Sequence, residues 1–180
     1  MGQIIKALVA MSTSCSIPVL TSLIKLVRIH LIDEIELEGE IPRIISLLSS
    51  EDLRIRVAAL ECVFEIAYHG RAEVIEAMLN EGLIEKLMEL QRSKYGYNLI
   101  ETEQHRDNGN GVNSLDMEGE NGPFAGCVAR FAVQVEVGEG LTTEERNEFK
   151  KEVLRRITEA SVSEAEGATI FAEVLWGFSP

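Results

Sequence analysis

Arg54, Glu61, Glu65 and His69 follow one another at helical spacing, and their side-chain types are the ones in this chain that could act together. His69 comes one turn after Glu65, close enough for a carboxylate to hold an imidazole. Cys62 is the best candidate nucleophile beside them. Each element of such a dyad has a simpler reading. Cys62 stands between the apolar residues Leu60 and Val63, where a small buried hydrophobe is expected, and a Glu–His pair at this spacing is usually a helix-end contact. His30 and His105 lie in unrelated segments, and no His, Cys and carboxylate set has metal-ligand spacing. Asp107 to Glu118 has the length of a calcium loop with the correct first and twelfth residues. However, Gly109 and Gly111 offer no side-chain oxygens there, and Val112 stands where the sharp turn needs glycine. Gly109 and Gly111 also lack the preceding strand and following helix of a phosphate loop. The expectation is a protein with no enzymatic activity, no cofactor and no metal. The stripe itself has two readings: a solvated face, as charge stripes usually are, or a contact for a basic peptide or helix with Arg54 setting the register.

Composition agrees with a binding role for protein rather than nucleic acid. The formal charge of −13 over 180 residues leaves no basic surface to follow phosphates, while favouring solubility and basic partners. Aromatics are sparse at 6%, and the prevalence of Leu, Ile, Val, Ala and Glu favours packed helices. Cys15, Cys62 and Cys127 are odd in number and widely spaced, which reads as reduced thiols in the cytoplasm or nucleus. Met1-Gly2-Gln3 lacks the Ser or Thr that a myristoylation signal wants, having Lys6 instead, and the N-terminal apolar stretch makes a poor signal peptide. Lys25, Arg28 and His30 interrupt the longest apolar run, so no transmembrane segment is expected.

The elements that must position the stripe repeat. Gly39 through Leu48 returns 43 residues later as Gly82 through Leu90, with Ile41/Ile84, Ile44/Leu87, Ile45/Met88 and Leu47/Leu90 in register. A period of this length with helical spacing is the signature of a HEAT or armadillo-type array. Residues 3 to 11 and 17 to 37 carry apolar residues at helical spacing and read as N-terminal capping helices (1–38), with Pro18 in a first turn. The first 32 residues hold no Asp or Glu, so this end either packs under the first repeat or is an exposed amphipathic contact for a membrane or partner; weak self-association is a further expectation. Repeats occupy 39–95. A helix from Ile41 to about Leu48 is followed by one from about Ser50 to Tyr68, started by Ser49 with Asp52. Its apolar arc is Val57, Leu60, Val63, Phe64, Ile66 and Ala67, and Gly70 ends it. Ala72 to Asn80 then turns Val74, Ile75, Met78 and Leu79 inward. Residues 101–121 read as a disordered acidic insertion inside a repeat, because Phe124 to Val135 can be laid on Val57 to Tyr68 at an offset near 67. In 122–180, a C-terminal repeat and cap helix, Thr142 with Glu145 and Ser161 with Glu164 have capping-box spacing. The first of these helices is expected to bury Phe149, Val153, Ile157 and Ala160. The second is expected to bury Ala165, Ala168, Phe171 and Val174 or Leu175, ending at Trp176-Gly177.

Gly82 before one helix, the Leu-rich helix after it, and Ala58-Ala59-Leu60-x-x-Val63-x-Glu65-Ile66-Ala67 resemble the armadillo repeat. The stretches Phe124 to Gln134 and Ala172 to Gly177 resemble the ends of plant armadillo-repeat proteins of unassigned role. The resemblance implies one domain over 1–180, all-α, a right-handed α-solenoid of about three repeats. It also implies a groove, lined by the third helix of each repeat, that holds an extended peptide. It suggests a scaffold or adaptor, in plants beside ubiquitin ligases or in stress signalling. The alternative is a structural or regulatory subunit that stacks on a longer armadillo partner or on itself. The groove-lining Trp and Asn of peptide-binding armadillo proteins such as importin alpha fall on Glu61 and Glu65, so binding of nuclear-import signals in that manner is not implied.

Overall fold

The computed structural model describes residues 2–93, 95–96 and 122–176, and these hold ten α-helices, one 3-10 turn and no strand. In chain order they are α1 (Gly2–Met11), α2 (Ser16–Val27), α3 (Ile29–Leu37), α4 (Ile41–Ser46, continued by the 3-10 turn Leu47–Ser49), α5 (Leu53–His69), α6 (Ala72–Asn80), α7 (Leu83–Arg92), α8 (Cys127–Val137), α9 (Thr143–Ala160) and α10 (Glu164–Trp176). The acidic insertion expected at 101–121, with its rejected calcium loop, lies outside the described residues, as does Gly177.

The 43-residue repeat is visible in the backbone. Gly39 and Gly82 both have left-handed φ, +69° and +73°, and each turns the chain into a helix whose matched apolar residues enter the core. Ile41, Ile44 and Ile45 on α4 and Ile84, Leu87 and Met88 on α7 are all buried. A Cβ at position 39 would meet no atom within 4 Å, so glycine is required there by its φ and not by crowding. Gly39→Ala and Gly82→Ala should therefore each cost about 1–2 kcal/mol of stability, the strain of one left-handed L-residue. Urea unfolding of the two variants checks this, and a cost at only one site would break the equivalence of the two copies.

Four local expectations need correction. The chain from 17 to 37 is two helices, broken at Arg28 (φ +58°, ψ −135°). The apolar period runs through the break because Ile24 and Leu31, on either side of it, are both buried, so hydrophobicity alone cannot report it. The cap of α5 is Asp52, whose Oδ1 accepts the Arg54 backbone N–H at 2.8 Å. Ser49 is unavailable because the 3-10 turn uses it, and its hydroxyl accepts from Lys86 Nζ at 3.1 Å. Likewise Ser161 closes α9, its hydroxyl donating to the Ile157 carbonyl at 2.6 Å, and Ser163 Oγ accepts the Glu166 N–H that opens α10. Finally, α10 buries Ile170 and Val174 and leaves Ala165, Ala168 and Leu175 outward with Phe171 half-buried. The Thr142–Glu145 capping box at α9 is present in both directions, and Val153 and Ile157 are the residues α9 buries, with Phe149 and Ala160 packed partly against them.

One apolar core runs through the described residues, from Ile5 on α1 to Val174 on α10. Within it α5 packs between α2 on one side and α8 on the other, and α8 in turn meets α10. That row places the stripe on α5 within reach of side chains from two other helices.

Candidate protein-binding groove

α5 bears all four stripe residues, and the structure separates them into two sets. Arg54 and Glu61 line an open groove of about 580 Å³ between α2 and α5. Its apolar surface comes from Pro18 on α2, Leu53, Val57 and Ala58 on α5, and Pro123, with the hydroxyls of Ser14, Thr21 and Ser22 along one wall. Arg54 sits at the first turn of α5, and its guanidinium returns to Asp52 at 3.1 Å. That contact and the Arg54 N–H hold the Asp52 carboxyl below its usual range and the Arg54 guanidinium above its own. Glu61, two turns further along, accepts from Arg130 of α8 at 3.2 Å, and the Arg130 guanidinium lies over the Phe64 ring at 4.7 Å.

Glu65 and His69 lie beyond the groove in a row of close polar side chains. Lys25 of α2 reaches Glu65 at 3.3 Å, and Glu65 stands 4.0 Å from His69 Nε2. His69 Nδ1 is 3.5 Å from Glu139 in the turn after α8, and Arg28 reaches the same Glu139 oxygen at 3.4 Å. The turn is pinned to α5, because the Glu139 N–H donates to the Tyr68 carbonyl at 2.7 Å. His69 is 7% exposed in its side chain, packed edge-on to Tyr68 at 4.7 Å. Its Nδ1 is buried without a hydrogen-bond partner among the described residues, so His69 is a packed side chain between Glu65 and the α8–α9 turn and cannot present its ring to a partner in this arrangement.

The two buried thiols are inert. Burial pushes Cys62 and Cys127 each up to about 12, and Cys127 Sγ donates to the Leu87 carbonyl at 3.1 Å. Cys15 is exposed and unpaired in a disulfide sense. Among the described residues no group of three or more His, Cys, Asp or Glu could hold a metal ion, and no helix is long and apolar enough to cross a membrane.

Four partners of the stripe, Lys25, Arg28, Arg130 and Glu139, and the groove walls Pro18 and Pro123 are not singled out by sequence spacing. They come from segments far apart in the chain and meet only when α2 and α8 flank α5. The one local signal was compositional: Lys25 and Arg28 lie in the acid-free N-terminal stretch, opposite the carboxylates of α5. No family model matches the chain, and no curated protein matches it.

Proposed function

We propose that the protein is a non-enzymatic interaction module, an armadillo-like solenoid of about three repeats, that holds a protein or peptide segment in the groove between α2 and α5. The groove carries the reading: an open, mainly apolar trough of about 580 Å³ with the Arg54 guanidinium and, two turns along, the Glu61 carboxylate on the α5 wall, and Lys25, which is held by Glu65, on the α2 wall. Apolar surface of this kind supplies the affinity, and a few fixed polar groups at its edge supply the orientation. The inertness of the two buried thiols, Cys62 and Cys127, supports a binding role over a catalytic one.

The charges narrow the partner. Glu65 is matched by Lys25, and Glu61 by an Arg130 contact that is 40–50% exposed on both sides. An exposed pair of this kind is worth at most about 1 kcal/mol, so a partner's Lys or Arg can displace Arg130 at little cost. The preferred segment therefore has an apolar residue to rest on Pro18 and Val57 and a basic residue for Glu61.

Selection from a displayed random-peptide library tests this. The wild type should enrich sequences that pair an apolar anchor with Lys or Arg. Ser22→Trp, an exposed position whose new ring would fill the trough, should weaken the selected peptides by at least about tenfold while leaving the circular dichroism spectrum unchanged. Peptides that bind the plugged variant as well as the wild type would place their site elsewhere and sink the proposal.

A further inference from the structure

The described stretches on either side of residues 97–121 meet at a tight crossing, and one side chain of α5 reaches both. The Phe124 N–H donates to the Tyr95 carbonyl at 3.3 Å. Gly122 comes so close to the same carbonyl that an added Cβ would stand 1.9 Å from its oxygen, which leaves room for glycine alone. Against this crossing lies Arg56. Its guanidinium carbon is 5.4 Å from the centroid of the Tyr95 ring and 5.6 Å from that of the fully buried Phe124 ring. The Arg56 Nε is buried without a hydrogen-bond partner, and among the described residues Arg56 forms no ion pair. Burying a guanidinium in this way costs free energy that an apolar side chain of similar length would not, and the two ring faces offset that cost. The charge therefore acts on the rings and not on a carboxylate.

We infer that Arg56 is a positioning residue for the groove between α2 and α5: it clamps Tyr95 to Phe124 and thereby fixes Pro123. In the groove lining, Pro123 is the residue that belongs neither to α2 and the turn before it nor to α5. It lies between Gly122 and Phe124, both of them parts of the crossing, so its place is set by the crossing and not by either helix. Arg56 itself is outside the lining. Leu53, Arg54, Val57 and Ala58 of α5 border the trough, while Arg56 directs its charge to the rings. The inference rests on the groove as the binding site, and adds to it a side chain that the bound segment does not touch.

Amide hydrogen exchange and peptide binding, both on the 180-residue chain, test the inference. Arg56→Met keeps an apolar stem and removes the charge, whereas Arg56→Lys keeps a cation for the rings. In Arg56→Met the Phe124 N–H should exchange about tenfold faster than in the wild type, the loss of one cation–π contact, with the amides of α2 unchanged. Peptides that Ser22→Trp displaces should bind Arg56→Met at least about fivefold more weakly, and Arg56→Lys should recover most of both effects. An arginine that merely supported the core would raise exchange in α2 as well. Tyr95→Leu should reproduce the effect of Arg56→Met, and the double variant should fall short of the sum of the two, because the singles remove a shared contact. Unchanged exchange at Phe124, effects that simply add in the double variant, or no recovery by lysine would each overturn the clamp. Faster exchange at Phe124 with undiminished binding of those peptides would overturn the link to Pro123 and leave the groove reading standing. If no selected peptide responds to Ser22→Trp, the groove reading fails, and the role of Arg56 in it fails too, whatever Phe124 reports.

Discussion

Phe131→Ala should lower the unfolding free energy by about 3–5 kcal/mol, the usual cost of emptying a fully buried aromatic site. Phe131 has no exposed surface, and its helix α8 packs against α5, α7, α9 and α10, so four neighbours would have to move to fill the void. Against a total stability of about 5–15 kcal/mol, the loss is a large fraction. In urea the midpoint should fall with the slope unchanged, because the surface exposed on unfolding is nearly the same. Val133→Ala, two residues on and 39% exposed, is the matched control and should stay within about 0.5 kcal/mol of the wild type. The consequence reaches the groove. Arg130 precedes Phe131, and its position over Phe64 and beside Glu61 depends on the seat of α8. A Phe131→Ala protein that remains folded should therefore bind groove ligands less well although no groove residue has changed. A cost below about 1 kcal/mol would mean that α8 is not the packed centre described here.

What the sequence could disclose follows from which forces are local. α6 was legible to the residue, bounds and buried face alike, because Val74, Ile75, Met78 and Leu79 form one clean stripe between two breaks. The repeated glycine was legible because only glycine takes a left-handed φ cheaply, and Gly39 and Gly82 both do. Arg28 was not, since a non-glycine residue at φ +58° leaves no compositional trace. The buried face of α10 was misplaced for a related reason. Its apolar residues occupy two sides, and only tertiary contact decides that Ile170 and Val174 face the core while Leu175 and Trp176 face water. The site divides along the same line. Helical spacing put Arg54, Glu61, Glu65 and His69 on one helix, but their pairing is non-local. Lys25 and Glu139 lie against Glu65 and His69 between helices, while Arg54 and Glu61 stay on the groove, Glu61 beside Arg130.

The turn between α9 and α10 is held to α7 by Arg92, and Arg92→Met should expose how much of that hold is charge. The Arg92 guanidinium donates through two nitrogens to the two oxygens of Glu166, and also to the Ala160 carbonyl at 2.8 Å. Glu166 in turn accepts the Val162 N–H at 2.8 Å. Methionine keeps most of the stem's volume, so the loss is the fork of hydrogen bonds and the cation beside a carboxylate whose side chain is only 15% exposed. The expected cost at neutral pH is about 2–3 kcal/mol. Its pH dependence separates charge from packing. The Arg92 hydrogen bonds, and then the Val162 N–H, hold the Glu166 carboxyl below the usual glutamate range against the opposing effect of burial. A carboxyl lowered in the folded state stabilises fully above its unfolded value, about 4.3, and that contribution is lost as acid protonates it in the folded protein. The gap between wild type and Arg92→Met should therefore close as pH falls from about 5 toward 2. Glu152, held down to about 2 by Arg155 and Arg156, adds acid lability of its own, but it is common to both proteins and cancels in the difference. A gap that persists undiminished at low pH would assign Arg92 a packing role. A gap that closes makes the seat of α10, and with it the presentation of Leu175 and Trp176, dependent on an ionised Glu166.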